Sequence, residues 1–245
     1  MPGTKLPIYV GVQGARPEEI LWEARTAEVL WVASSGTGEV EALTKWVEWT
    51  PIRTPREAAS ADFAWRASQI WEADRREGLV AGSLAEMNDV IAADPKTVKT
   101  GLLVVTADWF EFGILGFCLF YRNWDNELRL EFLSAHPAVD RLCIGGVGTG
   151  LVYSLLGVAE QVKAKAVFGE TTADSVGFYR AILDSPHIMG RLRVGRRKMC
   201  AFRKKMGRKW RGEKTPWWEW AVDRMKLMVL YGFTYGRKII RRTVD

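Results

Sequence analysis

Four glycines in six residues, Gly145-Gly146-Val147-Gly148-Thr149-Gly150, constrain this chain more than any other feature. The apolar run Leu128 to Ala135 precedes them, and Leu151, Leu155, Val158 and Val162 follow at helical spacing. The cluster therefore reads as a loop carrying a strand into a helix. Glycine lets a ligand come close to the backbone, and free N–H groups at a helix start attract an anion. Gly146-Val147-Gly148-Thr149 is thus a candidate cradle for a pyrophosphate, although a tight strand-to-helix turn gives the same pattern without any ligand. It is not a Walker A loop, because no Lys-Ser/Thr pair follows, and Leu151 occupies the position of the third glycine of a dinucleotide-binding fingerprint.

The elements around the cluster can be read in order. Arg16-Pro17-Glu18-Glu19 suits a first helical turn, so a helix to about Glu28 is expected, then a short strand at Val29 to Val32. Lys45 to Arg53 alternates in part and reads as a strand. Thr54-Pro55-Arg56-Glu57 and Ser83-Leu84-Ala85-Glu86 are capping boxes that open two helices. Strands follow at Leu102 to Thr106, Gly113 to Tyr121 and Leu128 to Ala135, the last two joined by a turn at Trp124-Asp125-Asn126. Beyond the glycines come a helix, a buried strand at Ala164 to Phe168, a helix at Ala173 to Leu183, and short strands at Leu192 to Val194 and Lys198 to Arg203. This order implies one α/β domain with a mixed sheet over residues 44–206. Residues 1–43 read as an N-terminal extension and residues 207–245 as a basic, tryptophan-rich tail.

Two segments resemble the GNAT superfamily of acyltransferases. One is Leu133-Ser134-Ala135-His136-Pro137, continuing through Cys143-Ile144-Gly145-Gly146-Val147-Gly148-Thr149-Gly150; the other is Thr172-Ala173-Asp174-Ser175-Val176-Gly177-Phe178-Tyr179. Cys143 stands where the family usually has Arg or Gln, Thr172 where it has Asn, and Ser175 where it has Ala. The resemblance implies an α/β (α+β) fold with a mixed, mostly antiparallel central sheet flanked by helices. It also implies acetyl-CoA as cosubstrate and an amine acceptor that the sequence does not identify. Backbone groups of Leu133 and Ala135 are then expected to pair with the pantetheine arm. The turn Cys143, Gly145, Gly146, Val147, Gly148 and Thr149 is expected to hold the pyrophosphate, its N–H groups at 147–149 foremost, with Thr172 beside the cofactor. Tyr179 falls on the family's tyrosine, which protonates the departing thiolate; a core aromatic is the alternative. Glu131, mid-strand among Leu130, Phe132 and Leu133, is the candidate general base, with Glu127 second; solvated strand residues are the alternative for both.

Composition narrows the remaining classes. The three cysteines, Cys118, Cys143 and Cys200, form no CxxC pair, and there are two histidines, so neither a disulfide framework nor a metal site is expected. No apolar run is long enough to cross a membrane and the first residues lack a signal-peptide pattern, so a cytoplasmic protein is expected. The net charge of +6 is unevenly spread. Residues 190–245 hold 18 Lys/Arg against four acids, a balance of +14, whereas residues 1–189 hold 17 basic and 25 acidic side chains, a balance of −8. Four of the twelve tryptophans fall between Trp210 and Trp220. The tail is therefore expected to meet an anionic partner, nucleic acid or a membrane surface, or else to dock on the protein's own body. Two functions remain open at this level: an N-acyltransferase, and a non-catalytic protein of the same fold, such as a viral component, that binds through its tail.

Overall fold

The computed structural model describes residues 3–13, 20–49 and 52–213. The tail from 214 onward, with Trp217, Trp218 and Trp220, lies outside the described residues. The described residues up to Arg203 form one compact unit, and those from Lys204 to Glu213 are grouped apart from it.

Strands β1 (Thr4–Gln13) and β2 (Ile20–Trp31) come first, then α1 (Gly38–Thr44), a 3-10 turn (Lys45–Glu48), α2 (Pro55–Arg76) and α3 (Leu84–Ala93). Strands β3 (Lys99–Thr106), β4 (Ile114–Arg122), β5 (Leu128–Ala135) and the two-residue β6 (Ile144–Gly145) lead to α4 (Val147–Gln161). Then follow β7 (Ala166–Glu170), α5 (Ala173–Ile182), β8 (Arg191–Gly195) and α6 (Arg196–Trp210). All eight strands join one sheet in the order β6-β1-β2-β3-β4-β5-β7-β8. Every pairing is antiparallel except β5 with β7. This is the mixed, mostly antiparallel sheet flanked by helices that the resemblance implies.

Period-2 alternation sends the two sides of β4 to different helices. Phe117 and Leu119 pack with Trp46, Ala61, Ala64 and Trp71 of the α1–α2 layer. Gly116, of opposite parity, lies under Val147 and Leu151 of α4. The helix α2 begins with the expected capping box: Thr54 Oγ1 accepts from Glu57 N–H, and the Glu57 carboxylate accepts from the Thr54 N–H.

Four expectations are overturned. The segment read as a helix to Glu28 is strand β2, paired along its length with β1 and at Glu28–Trp31 with β3. Residues 1–43 are accordingly no appendage, since β1 and β2 are interior members of the sheet. The Pro17-Glu18-Glu19 signal favoured a helix, but Ala27, Val29 and Trp31 are buried at a spacing of two, and cross-strand packing overrides local preference. Of the residues expected as a strand at Lys45 to Arg53, Lys45–Glu48 make a 3-10 turn that buries Trp46 against Phe117, with ring centroids 5.5 Å apart. Lys198 to Arg203 is helical within α6, burying Met199 and Phe202 three residues apart.

Candidate active site

The sheet opens between β5 and β7. Their parallel ladder has three rungs, ending at Leu130↔Gly169. Gly169 is needed there, because a Cβ would stand 2.8 Å from the Leu130 carbonyl oxygen. Beyond that rung β5 continues to Ala135 still paired with β4 but not with β7. A bulge lies at the point of divergence: Leu119 faces Phe132 and Phe120 faces Leu130, which leaves Glu131 as the extra residue. The bulge turns β5 away, and a cleft of about 410 Å³ occupies the opening.

One end of the cleft is the N-terminus of α4. Gly146 sits at its N-cap with φ +96°, a conformation that favours glycine, and no side chain caps the helix. The first amide to bond back is Gly150 N–H, to Gly146 C=O at 2.9 Å. The N–H groups of Val147, Gly148 and Thr149 have no partner among the described residues. Three free amides at the positive end of a fifteen-residue helix form a site for an anion. Strand β6 holds this turn in place by pairing Gly145 with Tyr9 and Ile144 with Val10 of β1.

Leu133 and Ala135 of β5 form a second side of the cleft, and α5 forms the third through Thr172, Phe178 and Tyr179. Tyr179 is buried, at 5% exposure, and its hydroxyl has no hydrogen-bond partner among the described residues. Burial, and secondarily the neighbouring Cys118, hold its pKa above the ordinary tyrosine value, so it stays protonated and able to donate. Thr172 is the N-cap of α5: its Oγ1 accepts from Ser175 N–H at 3.2 Å, and Ser175 Oγ accepts from Thr172 N–H at 2.9 Å. A threonine-serine capping box thus starts the helix that carries Tyr179.

The structure therefore places Leu133, Ala135, Gly145, Gly146, Val147, Gly148, Thr149, Thr172 and Tyr179 on one cleft. Cys143 and Glu131 do not line it. Cys143 has φ +50° in the turn before β6, and its carbonyl accepts from Gly11 N–H at 2.8 Å, which ties the turn to β1. Glu131, at the bulge, pairs with Arg129 Nε at 3.0 Å and is about one-quarter exposed. It neighbours Tyr121, whose pKa is raised by burial first and then by the charges of Asp74 and Glu131. Glu127 pairs with Arg193 across to β8 at 2.5 Å.

Sequence reasoning missed two cleft residues. Glu57 was legible as a capping-box member but not as part of the site. Its carboxylate accepts from Arg53 N–H at 2.5 Å and Thr54 N–H at 3.2 Å, and Arg141 lies 3.6 Å away. The Arg53 bond foremost, with the Thr54 bond and the Arg141 charge, holds its pKa below the usual carboxylate range despite burial. His136, which reads as a loop residue, is buried at 3% exposure, stacked on Phe112 at 5.0 Å and edge-on to Trp46, Trp49 and Phe110. Its Nδ1 accepts from Ala138 N–H at 3.0 Å, so the proton sits on Nε2. Among the described residues no cluster of His, Cys, Asp and Glu is arranged to hold a metal, and no helix is long and apolar enough to cross a membrane.

No protein-family model matches this chain, and neither does any curated protein sequence. Solved structures do match it in shape. A Desulfovibrio desulfuricans protein assigned to the GNAT acetyltransferase family matches 68% of this chain and 95% of its own, at 13% identity and TM-score 0.38. A GNAT-family acetyltransferase from Staphylococcus aureus Mu50 matches 62% of this chain and 81% of its own, at 10% identity and TM-score 0.37. An acetyltransferase from Bacillus cereus matches 46% of this chain and 92% of its own, at 18% identity and TM-score 0.32. Likeness at this level carries no functional conclusion.

Proposed function

We propose that this chain is an N-acyltransferase that moves an acyl group, acetyl foremost, from coenzyme A to an amine. The observation that carries the reading is a single cleft joining three features: the free edge of β5, the uncapped start of α4, and the unpartnered hydroxyl of Tyr179. An acyl-CoA needs all three. Its pyrophosphate is anionic and suits the amides of residues 147–149. Its pantetheine arm carries two amides and suits a strand edge that pairs with no neighbouring strand, here at Leu133 and Ala135 on the side away from β4. Its thiolate leaving group needs a proton, which Tyr179 Oη holds.

In the reaction the amine nitrogen attacks the thioester carbonyl carbon. The C–N bond forms, the C–S bond breaks, and the departing sulfur takes the Tyr179 proton. The amine loses its own proton to a base, a role we assign to Glu131 at the bulge; because its side chain does not line the cleft, the proton would reach it through solvent, and solvent would likewise return the tyrosine proton. Cys118 is not the nucleophile, because burial raises its thiol pKa far above neutrality.

The test is calorimetry with acetyl-CoA, followed by a screen of small amines and N-terminal peptides for acetyl-CoA-dependent thiol release. Binding with stoichiometry near one and release with at least one amine are expected. Absence of binding at millimolar acetyl-CoA overturns the reading.

A further inference from the structure

The glycine turn supplies amides but no charge. Cys143, in the slot where a cation or amide side chain stands in the resembling family, does not line the cleft at all. The side chains that do line it include three carboxylates, Glu57, Asp140 and Asp174. Among the described lining residues Arg56 is the single permanent cation, since burial first and the Arg141 charge second lower the pKa of His136 to about 4 and keep it neutral. A ligand carrying a pyrophosphate must therefore meet Arg56 or pay the repulsion of three carboxylates.

Arg56 is placed for this. It lies in the first turn of α2, which the Thr54–Glu57 capping box fixes at the cleft. Its guanidinium bridges to Asp140 at 3.1 Å, from one side of the opening to the loop before β6. Both side chains are exposed, at 74% and 55%, so the bridge is weak and a phosphate can compete for the arginine. Arg141 is not an equivalent donor: it lies between the Glu57 carboxylate and the face of Trp49, 4.1 Å from the ring centroid, and does not line the cleft.

We infer that Arg56 is the phosphate-binding cation of this site, supplied from α2 in place of the glycine turn, and that Asp140 competes with the ligand for it. The inference rests on the acyl-CoA reading above. Guanidinium and phosphate form paired, charge-assisted hydrogen bonds that a lysine does not reproduce.

The experiment compares the wild type with Arg56→Ala, Arg56→Lys and Asp140→Asn by calorimetry with coenzyme A and dephospho-coenzyme A, with thermal melts as the folding control. Arg56→Ala is expected to weaken coenzyme A binding by roughly tenfold or more. Arg56→Lys should recover only part of this, and Asp140→Asn should bind at least as tightly as the wild type. The loss on Arg56→Ala should persist with dephospho-coenzyme A, because the pyrophosphate is the group bound. Equal affinity of the wild type and a folded Arg56→Ala overturns the inference while leaving the acyl-CoA reading intact. So does a loss that vanishes with dephospho-coenzyme A, or a loss on Asp140→Asn as large as that on Arg56→Ala. A wild type that binds neither ligand overturns both readings together.

Discussion

Gly148 lies against Phe178: a Cβ built at 148 stands 3.0 Å from the Phe178 Cζ atom, at the start of α4. The glycine thus serves two needs at once, open access to its amide and room for the ring that flanks Tyr179. Both limit what can be substituted. A large residue would collide with the ring before it met any ligand. Gly148→Ala asks the half-buried Phe178 to move by a few tenths of an ångström, and helix propensity offsets part of that cost. The variant should melt close to the wild type yet bind acetyl-CoA about tenfold more weakly, because its methyl group holds phosphate away from the amides. Unchanged affinity by calorimetry would show that no phosphate approaches residue 148.

Tyr179→Phe removes one oxygen and, in this structure, no hydrogen bond among the described residues. Its stability should therefore stay within about 0.5 kcal/mol of the wild type, as for substitutions that break no contact. Turnover should fall by roughly 10²-fold under conditions where chemistry limits, with acetyl-CoA affinity unchanged. Because burial raises the tyrosine pKa, the wild-type rate should not decline from tyrosine ionisation anywhere near neutrality. A variant with wild-type turnover would make Tyr179 a core aromatic only.

The parts of this site that the sequence revealed are those encoded locally. The limits of β5 follow from its apolar run, and the start of α4 from its glycines, and both stand where expected. What stayed hidden depends on partners distant in sequence. The bulge at Glu131 exists only because β4 pairs Phe120 with Leu130, and no feature of β5 alone announces it. Strand β2 reads as a helix until β1 is laid beside it. Glu57 and Arg56 read as ordinary first-turn residues, and only the packing of α2 against β5 brings them to the cleft. His136 carries no signal that four aromatic side chains, two before the first strand of the β3–β5 meander and two within it, will close around it.

Glu131→Gln keeps the shape of the side chain and removes its basicity. The pair it loses with Arg129 is half-exposed on the arginine side and contributes little to stability. With an acceptor amine in hand, kcat/KM at neutral pH should drop on the order of 10²-fold while acetyl-CoA affinity stays the same. The deficit should narrow as pH rises, because a growing share of the amine then arrives already deprotonated. Initial rates across that range, for wild type and variant side by side, are the measurement. Parallel profiles with no deficit would leave Glu131 as a strand residue whose charge serves only Arg129 and Tyr121.

His136 should make the fold sensitive to mild acid. Burial first, then the Arg141 charge, lower its pKa from 6.5 to about 4. Above pH 6.5 the ring is neutral in folded and unfolded chains alike, and it contributes no pH dependence. As pH falls from 6.5 toward 4 the unfolded chain takes up a proton that the folded one refuses, so stability declines; below about 4 both are protonated and the decline levels off. The full loss is on the order of 3 kcal/mol. His136→Phe preserves an aromatic ring against Phe112 but has no proton to gain. It forfeits the bond from Ala138 N–H, about 1 kcal/mol, and does so equally at every pH. Glu57 and the other carboxylates titrate in both proteins and cancel in the comparison. Urea unfolding of wild type and variant at neutral pH and at about pH 4.5 should therefore give a smaller acid loss in the variant. The same acid loss in both would mean that the buried ring is not the group that titrates.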